Sequence, residues 1–297
     1  MNILIYSDIH ILEKEIEECN LVLDEISGLI KKYKVDKIIS AGDTFDRVRP
    51  TNLEINLFAN FIKTINIPIS IVVANSHESE TPESSIFNHF PILKSEISIC
   101  KEYIDEKHLY VGHFILKQSK LAFGGTIELS TLKDYKYICL GHQHIFEQIP
   151  PNAVQLGSCR FIDFAEVNKN PKVILLIENY KTEAERCHFI GLKSPYPMID
   201  IQYSNLEDIR LRLDDISSKT KVRLKFTNFE DYKQWLTISK NYESKFYIFR
   251  EKKDFKSVFN NQIVTKENTD IEKELEQWLK NQVVDEDVKK ALLEEIK

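Results

Sequence analysis

Five short apolar runs rich in β-branched residues mark the first half of the chain, and each stops at a residue that can bind or transfer charge. NILIY precedes Asp8 and His10, and KIISA, from Lys37 to Ala41, precedes Asp43. IPISIVVA, from Ile67 to Ala74, precedes Asn75, Ser76 and His77. YVG precedes His113, and YICLG precedes His142 and His144. Continuous apolar runs of this length read as strands buried on both faces, the pattern of a parallel sheet. Between the first two runs, Ile16, Cys19, Leu23, Ile26 and Ile30 recur at helical spacing, so that segment is expected to be an amphipathic helix. Strands alternating with such helices predict an α/β fold.

The placement of the polar residues follows from that fold. Ligands of open α/β sheets gather outside the carboxyl ends of the strands, so residues that each follow a strand can meet in one place. Asp8 and His10 share a face because side chains alternate along an extended chain. Carboxylates mixed with imidazoles, with no cysteine among them, suit Mn²⁺, Fe²⁺ or Zn²⁺ better than a structural cysteine-rich zinc site. Taken singly, Asp8 or Asp43 reads more readily as a helix N-cap. Asp46 and Glu78 read as caps or as acceptors behind the ligands. His89, His108 and His188 lack a matching context and read as structural or surface histidines. The ordered series, not any one residue, carries the argument.

That order is DxH at Asp8 to His10, GDxxD at Gly42 to Asp46, NSHE at Asn75 to Glu78, His113 in VGHF, and GHxH at Gly141 to His144. It is similar to the calcineurin-like metallophosphoesterase superfamily. Within that superfamily, GDTFD, VGHF and the stretch LGHQHIFEQIPPNAVQLGSCRFIDFAE resemble the DNA double-strand-break repair nucleases, including the bacterial SbcD type. The motif-level resemblance covers roughly residues 1–190.

The resemblance implies a two-sheet sandwich flanked by helices, with the site at the shared edge of the sheets. It implies that Asp8, His10 and His144 hold one divalent cation, that His113 and His142 hold a second with a neutral oxygen ligand, and that Asp43 bridges the two. Mn²⁺ is the first expectation, with Mg²⁺, Fe²⁺ and Zn²⁺ as alternatives. Two such cations about 3.5–4 Å apart serve an in-line displacement at phosphorus. His77 would contact the scissile phosphate, stabilising its charge or protonating the leaving oxygen. One motif departs from the usual Gly-Asn-His: this chain reads Ala74-Asn75-Ser76-His77-Glu78. Either Asn75 or Ser76 is then the neutral ligand, and looser binding of the second cation is expected in both cases. Ser158, which follows a turn glycine, is expected to border the substrate groove.

Composition bounds the rest. The 297 residues, 42% apolar and 29% charged, suffice for one large domain and a smaller one. No apolar run reaches the roughly 18 residues a membrane span needs, and MNILIYSDIH reads as a core strand, not a secretory signal. Five cysteines with no CxxC pair argue against a disulfide framework, so a reducing, cytoplasmic setting is expected, in a bacterial cell or a phage-infected host. The formal charge of −6 is unlike the basic footprint of a nucleic-acid binder. Its distribution is uneven: residues 1–195 carry −5, residues 196–260 carry +3 and residues 261–297 carry −4. Bound divalent cations would offset part of the acidity of the first segment.

These features divide the chain into three. Residues 1–195 form the α/β metallophosphoesterase domain, in which AVQLG, KVILLIEN and CHFIG are expected to join a second sheet. SPYP, from Ser194 to Pro197, is the linker. Residues 196–260 read as a small α+β capping domain of β-α-β-α-β order that guides DNA, with Arg223, Lys225 and Arg250 on a solvent face or in contact with phosphates. Residues 261–297 read as a helical hairpin opened by a capping box at Thr269 and Glu272, with apolar stripes that need a partner surface. The resemblance implies that this hairpin grips an SbcC-type coiled-coil ATPase; packing back on its own chain is the alternative. A homodimer, through the helix at Leu53 to Ile65 and the segment beyond Pro82, is not distinguished by pattern from core packing.

The expected function is therefore a metal-dependent DNA nuclease subunit acting on duplex ends or hairpins with an ATPase partner. A small-molecule phosphodiesterase or phosphatase of the same superfamily is the alternative enzyme. A DNA-end-binding scaffold weakened at NSHE is the alternative from another class.

Overall fold

The computed structural model describes residues 1–73, 85–89, 96–120, 125, 127–167 and 171–253. In chain order the elements are β1 (Ile3–Tyr6), α1 (Ile16–Lys32), β2 (Lys37–Ser40), α2 (Asn52–Ile65), β3 (Ile69–Val72), β4 (Ile97–Cys100), β5 (Tyr103–Asp105), β6 (Leu109–His113), β7 (Tyr137–Gly141), β8 (Glu147–Ile149) and β9 (Ala153–Gln155). There follow β10 (Val173–Glu178), β11 (Arg186–Gly191), β12 (Met198–Gln202), α3 (Leu206–Asp215), β13 (Lys221–Phe226), α4 (Phe229–Leu236) and β14 (Ile248–Lys253). The segment NSHE and the whole of residues 261–297 lie outside the described residues.

Among the described residues the strands form three sheets. The first has the order β11-β10-β1-β2-β3-β4, the second β5-β6-β7-β9-β8, and the third β12-β13-β14. In the first sheet β1 to β4 are parallel and β10 is antiparallel to β1. In the second, β6, β7 and β9 are parallel.

Alternation along β1 explains how the layers stack. Ile3 and Ile5 join a core with Leu109, Val111 and Cys139 of the second sheet, so the two sheets pack face to face. Leu4 and Tyr6 join the opposite core with Val22, Leu23 and Ile26 of α1 and Phe58 and Ile62 of α2. The expected two-sheet sandwich flanked by helices is the observed architecture, and α1 buries the stripe read from its spacing. Helix α2 opens on a capping box in which Thr51 and Glu54 satisfy each other's amides.

One sheet assignment is corrected. AVQ enters the second sheet beside β7, but VILLIE and RCHFIG do not. Strand β10 lies against β1 in the first sheet, at an inner position that covers both faces of the run buried from Val173 to Ile177.

The third sheet is parallel and carries its own apolar core around Trp235, Phe226, Leu224 and Ile209. Of its basic residues Arg250 is exposed as expected, whereas Arg223 and Lys225 are half-buried. Asp200 holds Arg223 through two contacts of 2.8 Å and also pairs with Lys225. The guanidinium groups of Arg223 and Arg250 stand 4.8 and 5.6 Å from the Phe164 ring centroid. This face of the sheet meets the segment around Phe164, and Asp200 pairs with both Arg223 and Lys225.

No helix among the described residues is long and apolar enough to cross a membrane, and all five cysteines are free thiols.

Candidate metal centre

The carboxyl ends of β1, β2, β6 and β7 converge at one edge of the sandwich. Beyond β1 and β2 the two chains stay paired: the amides of Asp8 and His10 donate to the carbonyls of Gly42 and Asp43 at 3.0 Å each, and Ile11 donates to Thr44 at 2.8 Å. His113 ends β6 and His142 follows β7. The His142 amide reaches across to the Asp8 carboxylate at 3.1 and 3.2 Å, which ties the second sheet to the first at the site.

The backbone is unusual here. Asp8, His10, Asp43 and His142 have φ of 51°, 50°, 49° and 87°. A residue other than glycine rarely takes this left-handed region, which costs about 1–2 kcal/mol. Four such residues at one sheet edge indicate a geometry held for function.

The side chains form two groups whose nearest ligand atoms lie within 4.8 Å of one another: Asp8, His10 and His144, and Asp43, His113 and His142. Asp43 Oδ2 is 3.4 Å from His10 Nε2 and 3.3 Å from His113 Nε2. A single carboxylate oxygen therefore stands between a histidine of each group. Asp8, His10 and Asp43 are buried, whereas His144 is partly and His142 well exposed, so the centre opens on the side of the GHQH turn. Two oxygen-and-nitrogen donor sets around a shared carboxylate fit divalent cations of the Mn²⁺, Fe²⁺ and Zn²⁺ type.

Each ring is aimed by what lies behind it. His10 Nδ1 is 3.1 Å from Asp46 Oδ1, His113 Nδ1 is 2.7 Å from the Ala41 carbonyl, and Glu166 Oε1 is 3.4 Å from His144 Nδ1. Because these partners only accept, Nδ1 carries the proton and Nε2 faces inward. Burial alone would lower His10, but its hydrogen bonds to Asp46 and Asp8 outweigh it and raise the imidazole to about 9. His113 is likewise raised to about 9, with Asp43 overcoming burial. For Asp8, burial would raise the carboxyl, and His10, His113 and His144 together hold it well below the usual range. Burial, with His113 alongside, pushes His142 down.

Glu166 was not singled out by sequence. It is buried, paired with Lys172, and pushed down to about 2, since His144 and Lys172 overcome the opposing effect of burial. Lys172 also donates to Ser158 Oγ at 2.7 Å and to the His144 carbonyl at 3.1 Å. Ser158 is fully buried in this network, so it braces the GHQH turn and does not border a groove. The available signal was a lone acid at the end of FIDFAE and a lysine opening an apolar run, neither of which forms a spacing motif.

Asp46 is an acceptor behind His10, a candidate ligand, which is one of the two roles read for it. His108 and His188 pair with Glu185 and Glu178, as structural histidines do. His77, Asn75 and Ser76 lie outside the described residues, as does the side chain of His89.

Residues 1–146 match the family model described as calcineurin-like phosphoesterase. This stretch, just under half of the chain, is similar to the calcineurin-like phosphoesterases. Solved structures similar to this chain share little sequence with it. A single-site variant of Vps29 from Entamoeba histolytica is 11% identical, with a TM-score of 0.38 over 65% of this chain and 100% of that one. A predicted phosphoesterase from Streptococcus pneumoniae is 13% identical, with a TM-score of 0.34 over 64% and 88%. The nuclease MPE of Pseudomonas putida is 12% identical, with a TM-score of 0.35 over 59% and 84%. Likenesses this distant say nothing of substrate. No curated protein sequence matches the chain.

Proposed function

We propose that this chain is a DNA nuclease subunit that hydrolyses phosphodiester bonds at duplex ends or hairpins. The observation that carries the reading is Asp43 Oδ2 between His10 and His113, with Asp8 and His144 on one side and His142 on the other. When bound, two divalent cations, Mn²⁺ first, would supply an activated water and neutralise the phosphate charge. The protein's own part is to hold donors in place. Asp46, the Ala41 carbonyl and Glu166 fix three imidazoles before substrate arrives, and the His142 amide fixes Asp8. The exposed edge at His142 and His144 leaves an approach for a phosphodiester. His77 is assigned to the phosphate or the leaving oxygen, and Asn75 or Ser76 to the neutral ligand position.

DNA is favoured over a small phosphodiester by the stretch from Leu140 to Glu166, which resembles break-repair nucleases. Its Glu166 stands directly behind His144. An SbcC-type coiled-coil ATPase is the proposed partner, engaged by the apolar stripes of residues 261–297.

The test is an Mn²⁺-dependent assay on duplex, hairpin and single-stranded DNA beside a generic phosphodiester, for wild type and Asp43→Ala. The proposal expects DNA cleavage by wild type and none by the variant. Turnover of the small phosphodiester alone would favour the small-molecule enzyme, and no turnover at all a scaffold. Deleting residues 261–297 should abolish capture of the ATPase, and capture that survives would overturn that assignment.

A further inference from the structure

Directly behind the Asp8–His10 loop lies a buried ion cluster that supplies no ligand to the metal centre. Arg160 is 1% exposed and Lys221 is 0% exposed. Arg160 Nε donates to the Ile9 carbonyl at 2.8 Å and Nη2 to the His10 carbonyl at 2.6 Å. Its Nη1 pairs with Glu15 and lies 3.3 Å from Glu18 Oε2. Lys221, on the middle strand of the third sheet, places Nζ 2.8 Å from Glu15 Oε2 and 2.7 Å from Glu18 Oε2, and donates to the Phe161 carbonyl. Glu18 also accepts from the Tyr196 amide at 2.8 Å. Two cationic and two anionic side chains, drawn from the segment after β9, the start of α1 and β13, thus close on one another out of water.

Two features give the cluster a role beyond holding segments together. The carbonyls gripped by Arg160 belong to the stretch in which Asp8 and His10 adopt left-handed backbone, a conformation that persists only where neighbours impose it. The planar guanidinium reaches two carbonyls and two carboxylates at once, which a lysine ammonium in the same place cannot do. Without Lys221, Arg160 would be the sole cation facing both carboxylates and would be drawn from the carbonyls.

We propose that Arg160 is the positioning residue for the Asp8, His10 and His144 half of the metal centre and that Lys221 completes its seat, so that docking of the third sheet sets how well that half binds a divalent cation. The inference rests on the two-cation reading of the site, but not on DNA being the substrate.

The experiment is Mn²⁺ titration of the full chain by calorimetry and electron paramagnetic resonance, with circular dichroism to monitor folding. His144→Ala and His142→Ala identify the two binding events. Arg160→Lys keeps the charge and should weaken the event lost in His144→Ala by about tenfold or more, leaving the other within about twofold. Should Arg160→Lys not fold, Lys221→Met, which leaves Glu15 and Glu18 to compete with the Ile9 and His10 carbonyls for Arg160, carries the same expectation. Unchanged binding at both positions, or parallel weakening of both as general loosening would produce, would overturn the inference. Wild type that binds no Mn²⁺ would overturn the two-cation reading beneath it, whereas variants that match a two-site wild type would overturn the inference alone.

Discussion

Gly141→Ala should disable the centre without touching a ligand. Gly141 ends β7 where the two sheets approach, and an added Cβ would lie 2.8 Å from His113 Nδ1 and closer still to Ser7 Oγ and the Ala41 carbonyl oxygen. The Ser7 hydroxyl can turn aside, but the Ala41 carbonyl is backbone of the first sheet and accepts the hydrogen bond that aims His113. Ordinary contact begins near 3.4 Å, so the sheets must part by about 1 Å at this point. That motion draws His113 and His142 away from Asp8 and Asp43. Overpacking of this kind costs about 1–3 kcal/mol of stability, and a misplacement of about 1 Å in reacting groups costs on the order of 100-fold in rate. The assay is Mn²⁺-dependent hydrolysis of DNA and of a generic phosphodiester, with a thermal melt alongside. Gly28→Ala is the control: nothing lies within 4 Å of its Cβ in α1, and the change should stabilise by about 0.5–1 kcal/mol with no effect on rate. Wild-type rate and melting for Gly141→Ala would refute the claim that sheet spacing sets the centre.

Asp46→Asn and Glu166→Gln should each reduce Mn²⁺ affinity about 10- to 100-fold, because a neutral amide replaces the carboxylate that aims His10 or His144. Glu166→Gln should also lose stability by stripping buried Lys172 of its counter-ion; calorimetric titration and a thermal melt check this. Phe45→Ala should lose about 3–5 kcal/mol in denaturant unfolding, since its buried ring packs 5.7 Å from Phe58 and 5.5 Å from Phe87 and anchors the GDTFD turn. Glu185 accepts from Lys136, from the Lys181 amide at 2.7 Å, from His108 at 2.7 Å and from Tyr137 at 2.9 Å, and these outweigh burial to push its carboxyl down to about 2. Its folded pKa lies below the unfolded value of 4.5, so its stabilisation is present above about pH 4.5 and fades as pH falls toward 2. Glu185→Gln should therefore lose on the order of 2 kcal/mol at pH 7, with the difference from wild type shrinking across that window in melts at stepped pH.

The order of apolar runs and the polar residues that end them determined the α/β alternation, the helix α1 and the six described ligand candidates, since both periodicity and strand-end position are local properties of the chain, whereas the two-sheet sandwich was implied by the resemblance those residues carry. The partner sheet of β10 could not be read locally, because a run buried on both faces looks alike in any inner position. The basic character of residues 196–260 was legible as a count, but not which charges meet: Asp200 lies more than 20 residues from Arg223 and Lys225 and meets them only through strand register. Glu166 and Arg160 were equally hidden. A residue that aims a ligand from behind is defined by distance and direction in space, and it carries no fixed spacing from that ligand along the chain. The donors of this centre were thus written in the order of the residues, whereas their aim, their shared carboxylate oxygen and the ion cluster behind them arise only where two sheets and a third unit close on one edge.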